Sequence, residues 1–95
     1  MPRYADYVAA YDLTEDRERN RVAKVLEGFG FRVQFSVFEL RLSPASKTRL
    51  LNRLSELNLK TGWVGLYRRQ HGSALDAVGC VPERPLKDDD YAWFV

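Results

Sequence analysis

The sequence predicts an α+β sandwich of βαββαβ order, with two helices covering one face of an antiparallel sheet. Three features of the 95 residues lead there: a nearly continuous apolar run from Ala5 to Tyr11, two apolar stripes at helical spacing, and two segments rich in β-branched and aromatic residues. A strand, a helix, an extended pair, a second helix and a further strand form the succession that the ferredoxin-like arrangement requires.

Each element follows from its own pattern. Ala5, Tyr7, Val8, Ala9, Ala10 and Tyr11 leave little polar alternation, which suits a central strand covered on both faces. Thr14 is expected to cap the first helix, with Glu15 and Asp16 in its first turn, where the helix dipole favours acids. Val22, Val25, Leu26 and Phe29 fall on one stripe, and Gly28 with Gly30 supplies the stop. From Phe31 the apolar residues occupy odd positions through Phe35 and Val37, then even ones at Phe38, Leu40 and Leu42. A bulge or tight reversal near Ser36 is therefore needed, giving either two short strands or one bent one.

Ser43 followed by Pro44 is a cap and first-turn pair for the second helix, whose buried face is expected from Leu50, Leu51, Leu54 and Leu57. Gly62 opens an extended run from Trp63 to Tyr67 that ends in Arg68 and Arg69. Ala77 to Val81 reads as an extra C-terminal edge strand, after which Pro82 and Pro85 end regular structure. The chain thus divides into a domain, residues 1–81, and an acidic and aromatic tail, residues 82–95. The tail joins Asp88, Asp89 and Asp90 to Tyr91, Trp93 and Phe94, a combination able to dock on a basic partner, fold back on a dimer, or stay disordered.

Composition narrows the function. A domain of this size buries only roughly 60 to 65 per cent of its unfolded surface, and Tyr7, Trp63, Tyr67 and several Phe exceed what two short helices cover. Both points favour a homodimer through the open sheet face. Cys80 is the sole cysteine, so no internal disulfide and no zinc motif is expected; a reduced, cytoplasmic setting fits, with Cys80 as a small buried residue. Neither a secretory leader nor a membrane span is expected. His71 lacks a Cys or Ser in a short motif and reads as a loop residue. No glycine loop precedes a helix as a phosphate cradle would require, and the aromatic signature of RNA-recognition sheets is absent.

The net charge of +2 conceals an asymmetry. Residues 1–75 carry 13 Lys and Arg against 8 Asp and Glu, whereas residues 76–95 carry 2 against 5. Two basic bodies related by a dyad would present a charge of about +10, enough to attract a phosphate backbone. A scattered, solvated basic surface explains the same numbers without a ligand.

Asp12 carries the chemistry. It ends the first apolar run and precedes Arg17, Arg19 and Arg21, so a carboxylate meets guanidinium groups where a metal ion and a phosphate can be held together. The alternative is a carboxylate that only caps a turn. At 100° per residue Arg17, Arg21 and Lys24 share the face opposite the apolar stripe, while Arg19 lies on the flank of the stripe, near the sheet.

Tyr11-Asp12-Leu13, Arg19-Asn20-Arg21-Val22-Ala23-Lys24, Gly30, Arg32-Val33-Gln34 and Ser36-Val37-Phe38-Glu39 occur in an order and spacing that resembles the small CRISPR-associated endoribonuclease family, the adaptation subunit that partners the CRISPR integrase. The resemblance runs from Tyr7 to Arg69 and implies a ferredoxin-like homodimer in antiviral defence. It implies Tyr11, Asp12, Arg19, Arg21, Arg32 and Phe38 as residues of activity. It further implies Asp12 as ligand of Mg²⁺ or Mn²⁺, shared with a second Asp12 across the dimer axis. Arg17, Arg19, Arg21, Lys24 and Arg32 are then candidates for binding RNA or DNA, with Phe38 also open to a plain core role. In the family the last strand commonly crosses to the other subunit's sheet, so Ala77 to Val81 is the candidate for exchange. Three functions fit: a metal-dependent nuclease, a non-catalytic dimer that spans duplex DNA and joins integrase subunits, and a toxin ribonuclease similar to virulence-associated protein D.

Overall fold

The apolar run becomes β1 (Ala5–Leu13), followed by α1 (Asp16–Glu27), β2 (Gly30–Gln34), β3 (Val37–Leu42), α2 (Pro44–Ser55) and β4 (Gly62–Arg69) in a computed structural model that describes residues 3–70 and 76–80. The sheet has the order β2-β3-β1-β4 with every neighbouring pair antiparallel, the ferredoxin-like arrangement expected from the sequence. The near-continuous apolar run puts β1 at the centre, where side chains on both faces have neighbours.

Alternation along β1 sorts its residues. Tyr7, Ala9, Tyr11 and Leu13 join the core beneath the helices with Val22, Leu26, Phe29, Phe38, Leu40, Leu42, Leu50 and Leu54. Asp6, Val8, Ala10 and Asp12 take the other face. Tyr7 was expected on the open face and is instead buried, since its odd position places it with Ala9 and Tyr11. Trp63 and Tyr67 do remain outside, at 59% and 54% exposed. The open face also carries two ion pairs, Arg41 to Asp6 at 2.7 Å and Arg69 to Glu39 at 3.2 Å.

A bulge or a tight reversal was expected near Ser36; the reversal is there, and a bulge lies a few residues before it. The ladder between β2 and β3 slips between Arg32 and Gln34, and Phe35-Ser36 makes the tight reversal joining Gln34 to its partner Val37. Ser43 caps α2 by accepting from the Ser46 amide at 3.1 Å, with Pro44 in the first turn. Leu50 and Leu54 are buried as expected and Leu57 packs against the core, but Leu51 points outward because a 100° step carries it off the stripe.

Three local expectations change. The cap position of α1 belongs to Glu15, not Thr14, and no side chain caps it; the Glu15 amide donates instead to the Thr61 hydroxyl at 3.3 Å. Residues 77–80 form no strand and have no ladder partner among the described residues, and Val81 lies outside them. Cys80, expected buried, is exposed. His71 and residues 82–95 also lie outside the described residues. No described helix is long and apolar enough to cross a membrane.

Gly62 is required by close approach. A Cβ there would collide with the Asp12 carbonyl oxygen, since β4 begins by packing its backbone against the end of β1. Gly62→Ala is expected to destabilise the domain by at least about 1–3 kcal/mol, roughly 5 to 15 °C in Tm by thermal denaturation.

Candidate functional site

The strand end that carries Asp12 is tied down from two sides by consecutive residues of α1. Arg19 donates from Nη1 to the Leu13 carbonyl at 2.6 Å and from Nη2 to the Asp16 carboxylate. Glu18 is buried and reaches the loop before β4, where its carboxylate accepts from the Lys60 amide at 2.7 Å, the Thr61 amide at 2.9 Å and the Thr61 hydroxyl at 2.5 Å. The first turn of α1 therefore holds the ends of both β1 and β4, which face each other across the Asp12–Trp63 and Leu13–Gly62 pairs.

Those three hydrogen bonds set the titration of Glu18. The Thr61 hydroxyl contributes most and the Lys60 amide next, so the carboxyl is held below the ordinary glutamate range despite the opposing effect of burial. A depressed folded-state pKa means that the charged form stabilises the fold above the unfolded pKa of about 4.3, and that this stabilisation is lost as pH falls through the lower folded value. Glu18→Gln is expected to lower Tm at neutral pH and to make the Tm difference from wild type shrink below about pH 4, measured by thermal scans across pH.

Asp12 itself is exposed, and no hydrogen bond or ion pair is made by its side chain among the described residues. It is free to accept a ligand. Fixing of its backbone by neighbours, with the carboxylate left open, is the arrangement expected of a binding group and not of a turn cap. Among the described residues no group of three or more His, Cys, Asp or Glu converges on a metal position. Within one chain the donor set is thus a single carboxylate.

The sequence-derived residues divide into three sets. Tyr11 and Phe38 lie on the helix side of the sheet, opposite Asp12, with ring centroids 6.5 Å apart. Phe38 is fully buried and the Tyr11 hydroxyl donates to the Phe35 carbonyl at 3.2 Å, bracing the hairpin. Arg32 lies across from Phe38 in the ladder, its guanidinium 5.3 Å from the Phe38 centroid and 6.0 Å from that of Phe35. Arg17, Arg21 and Lys24 are exposed on the outer side of α1, and Arg19 reaches the sheet as its flank position predicted. Adjacent positions in a strand alternate, so Tyr11 and Asp12 share a motif but not a surface.

Sequence reasoning did not single out Glu18, Thr61 or Phe35. The signal for Glu18 was its place on the sheet-facing flank of α1, next to Arg19 and far from the charged outer face. A cavity of about 470 Å³ at the opposite end of β1, lined by Arg3, Tyr4, Tyr7, Leu42 and Arg68, contains none of the expected site residues.

A family model described as CRISPR associated protein Cas2 matches residues 6–70. Over 87 residues the chain is 45% identical to a CRISPR-associated endoribonuclease Cas2 of Rhodospirillum rubrum, covering 86% of this chain and 68% of that one. It is 49% identical over 51 residues to one from Synechocystis, where the match spans 54% of this chain and only 55% of the relative. A solved hypothetical protein from Thermus thermophilus superposes with a TM-score of 0.73 at 31% identity, covering 85% of this chain and all (100%) of the other. A crystal structure titled as cas2 gives 0.75 at 28% identity over 90% of this chain and 100% of its own.

Proposed function

The chain belongs to the CRISPR associated protein Cas2 family, and on that premise we propose that it serves CRISPR defence as an endonuclease hydrolysing phosphodiester bonds of RNA or DNA. The observation that carries the reading is the open Asp12 carboxylate on a strand end fastened by Arg19 and Glu18. The name borne by the relatives, CRISPR-associated endoribonuclease, supports the same chemistry.

One carboxylate is half of a site. Mg²⁺ keeps several waters and takes one or two carboxylates together with substrate phosphate oxygens, so the donor set fits when a second copy of the chain brings its own Asp12. The exposed Trp63 and Tyr67 on the sheet face that bears Asp12 give that copy a surface to bury. Bound there, Mg²⁺ or Mn²⁺ would supply Lewis acidity toward a phosphate oxygen and a more acidic water. The chain's own part is to hold the carboxylate at the strand end and leave it unencumbered, while Arg17, Arg21 and Lys24 on the outer side of α1 and Arg32 on β2 are exposed to take the phosphate backbone elsewhere along its path.

A second reading rests on the exposed basic side chains Arg17, Arg21, Lys24 and Arg32: a non-catalytic dimer that spans duplex DNA and joins subunits of the CRISPR integrase. Wild type and Asp12→Asn compared for Mg²⁺-dependent cleavage of RNA and duplex DNA, and in parallel for spacer integration, separate the two. Cleavage that persists in Asp12→Asn at the wild-type rate ends the catalytic reading. Integration that survives while cleavage vanishes assigns adaptation to architecture and leaves the nuclease as a separate activity.

A further inference from the structure

We propose that the tip of the β2–β3 hairpin is a stacking site for an unpaired nucleobase, with Phe35 supplying the ring and Arg32 the cation for the adjoining phosphate. The inference rests on the reading that this protein handles nucleic-acid strands; Arg32 keeps the phosphate role given to it there, and Phe35 lies outside the residues assigned to the Asp12 chemistry.

Phe35 sits in the two-residue reversal and is 75% exposed even with the Arg32 guanidinium over its ring, so part of the ring stays open to solvent. A single exposed apolar residue needs no explanation by itself. This one differs because its backbone is held. The Tyr11 hydroxyl donates to the Phe35 carbonyl at 3.2 Å and the Tyr11 amide donates to the Ser36 carbonyl at 3.1 Å, from a strand buried at the centre of the sheet. A fixed backbone beneath the ring leaves only its side-chain torsions to be ordered when a flat partner settles on it.

Charge selects the partner. Arg32 is exposed, stands beside two aromatic rings and makes no ion pair among the described residues, so its charge is available to an anion. A planar apolar ligand joined to a phosphate matches that pair, and an unpaired nucleotide is such a ligand. In a duplex the base faces are stacked on one another and closed to Phe35, so the site favours single strands or frayed ends. The same tyrosine that precedes Asp12 braces the hairpin, which ties the stacking ring to the strand that presents the carboxylate.

The test measures affinity in EDTA, so that cleavage does not interfere. Labelled single-stranded oligoadenylate, an abasic oligomer of equal length and a duplex are titrated by fluorescence anisotropy with wild type, Phe35→Ala and Phe35→Trp. Phe35→Ala is expected to weaken oligoadenylate binding about tenfold, with Phe35→Trp restoring it, while abasic and duplex affinities change less than about twofold. Thermal scans should show both variants folded, since the side chain is exposed. Equal oligoadenylate affinity in wild type and Phe35→Ala overturns the proposal, as does an equal loss on the abasic strand. If Phe35→Ala leaves oligonucleotide binding intact but abolishes self-association, the hairpin is a protein contact and the proposal is wrong. Wild type that binds none of the three probes removes both this inference and the nucleic-acid reading beneath it; the former outcomes remove this inference alone.

Discussion

Asp12→Asn is expected to lower Mg²⁺-dependent phosphodiester cleavage by about a hundredfold or more while leaving Tm within about 1 °C of wild type. The size follows from what is removed. A metal ion contributes several kcal/mol of charge stabilisation in the transition state, and each 1.4 kcal/mol is about tenfold in rate, so losing an ionised ligand from a site with few ligands is severe. In a two-fold site the single substitution removes both proposed protein carboxylates together. The small stability change follows from the exposed side chain, which makes no hydrogen bond or ion pair among the described residues. Asparagine is nearly isosteric and keeps the strand ladder with β4. Cleavage assays beside thermal scans read the two quantities independently, and dimer mass by sedimentation shows whether the paired site is still assembled. A fall in activity that merely tracks a fall in Tm or in dimer would contradict the assignment.

Phe38→Ala is expected to cost about 3–5 kcal/mol, the largest effect on stability of any substitution considered. The ring is fully buried at the centre of the core, 6.5 Å from Tyr11, and supports the Arg32 guanidinium at 5.3 Å. Small domains have total stabilities of roughly 5–15 kcal/mol, so much of the margin disappears and Tm should fall by about 15 °C or more. Loss of activity in this variant would therefore say nothing about contact with substrate. Phe38→Leu provides the separation, since it retains an apolar side chain at a cost of about 1–2 kcal/mol. Cleavage per folded molecule close to that of wild type makes Phe38 a packing residue; a tenfold loss with a nearly unchanged Tm places its ring at the reacting strand.

The fold was legible because its periodicities are strong and local. Val22, Val25, Leu26 and Phe29 specify the buried face of α1, and the apolar density of residues 5–11 specifies a central strand. The change of phase after Val37 called for a bulge or a reversal, and the segment contains one of each. What failed was equally physical. Thr14 looked like a cap by residue type, but the helix begins one position later, where the Glu15 amide finds Thr61 across a separation of 46 residues. Sequence spacing does not reveal that partner.

Part of the site was legible for a different reason. The position of Asp12 between a strand and a helix is readable as a pattern, and the helical angle correctly assigned Arg19 to the sheet side. The neighbours of Arg32 depend on the register of β2 against β3, which one slipped residue determines, and no composition argument fixes that register. Glu18 was masked by its charge: an acid in the first turn is explained well enough by the helix dipole, and its service to Lys60 and Thr61 emerges only when the loop is in place.

The strand order has a bearing on how the chain acquires its shape. Of the four strands β1 is synthesised before the others, yet its partner on one side is β4, so the Leu13–Gly62 and Asp6–Arg69 contacts close over about 50 to 60 residues. Pairing of that separation is the slow kind, and until β4 arrives the most apolar strand has an unpaired edge. The β2–β3 hairpin and both helices are local and can form beforehand. The Asp12 end, which lies between the earliest and the latest strand, is thus completed only at the last stage of folding, and a nascent chain lacking β4 would have the carboxylate but not the framework that orients it.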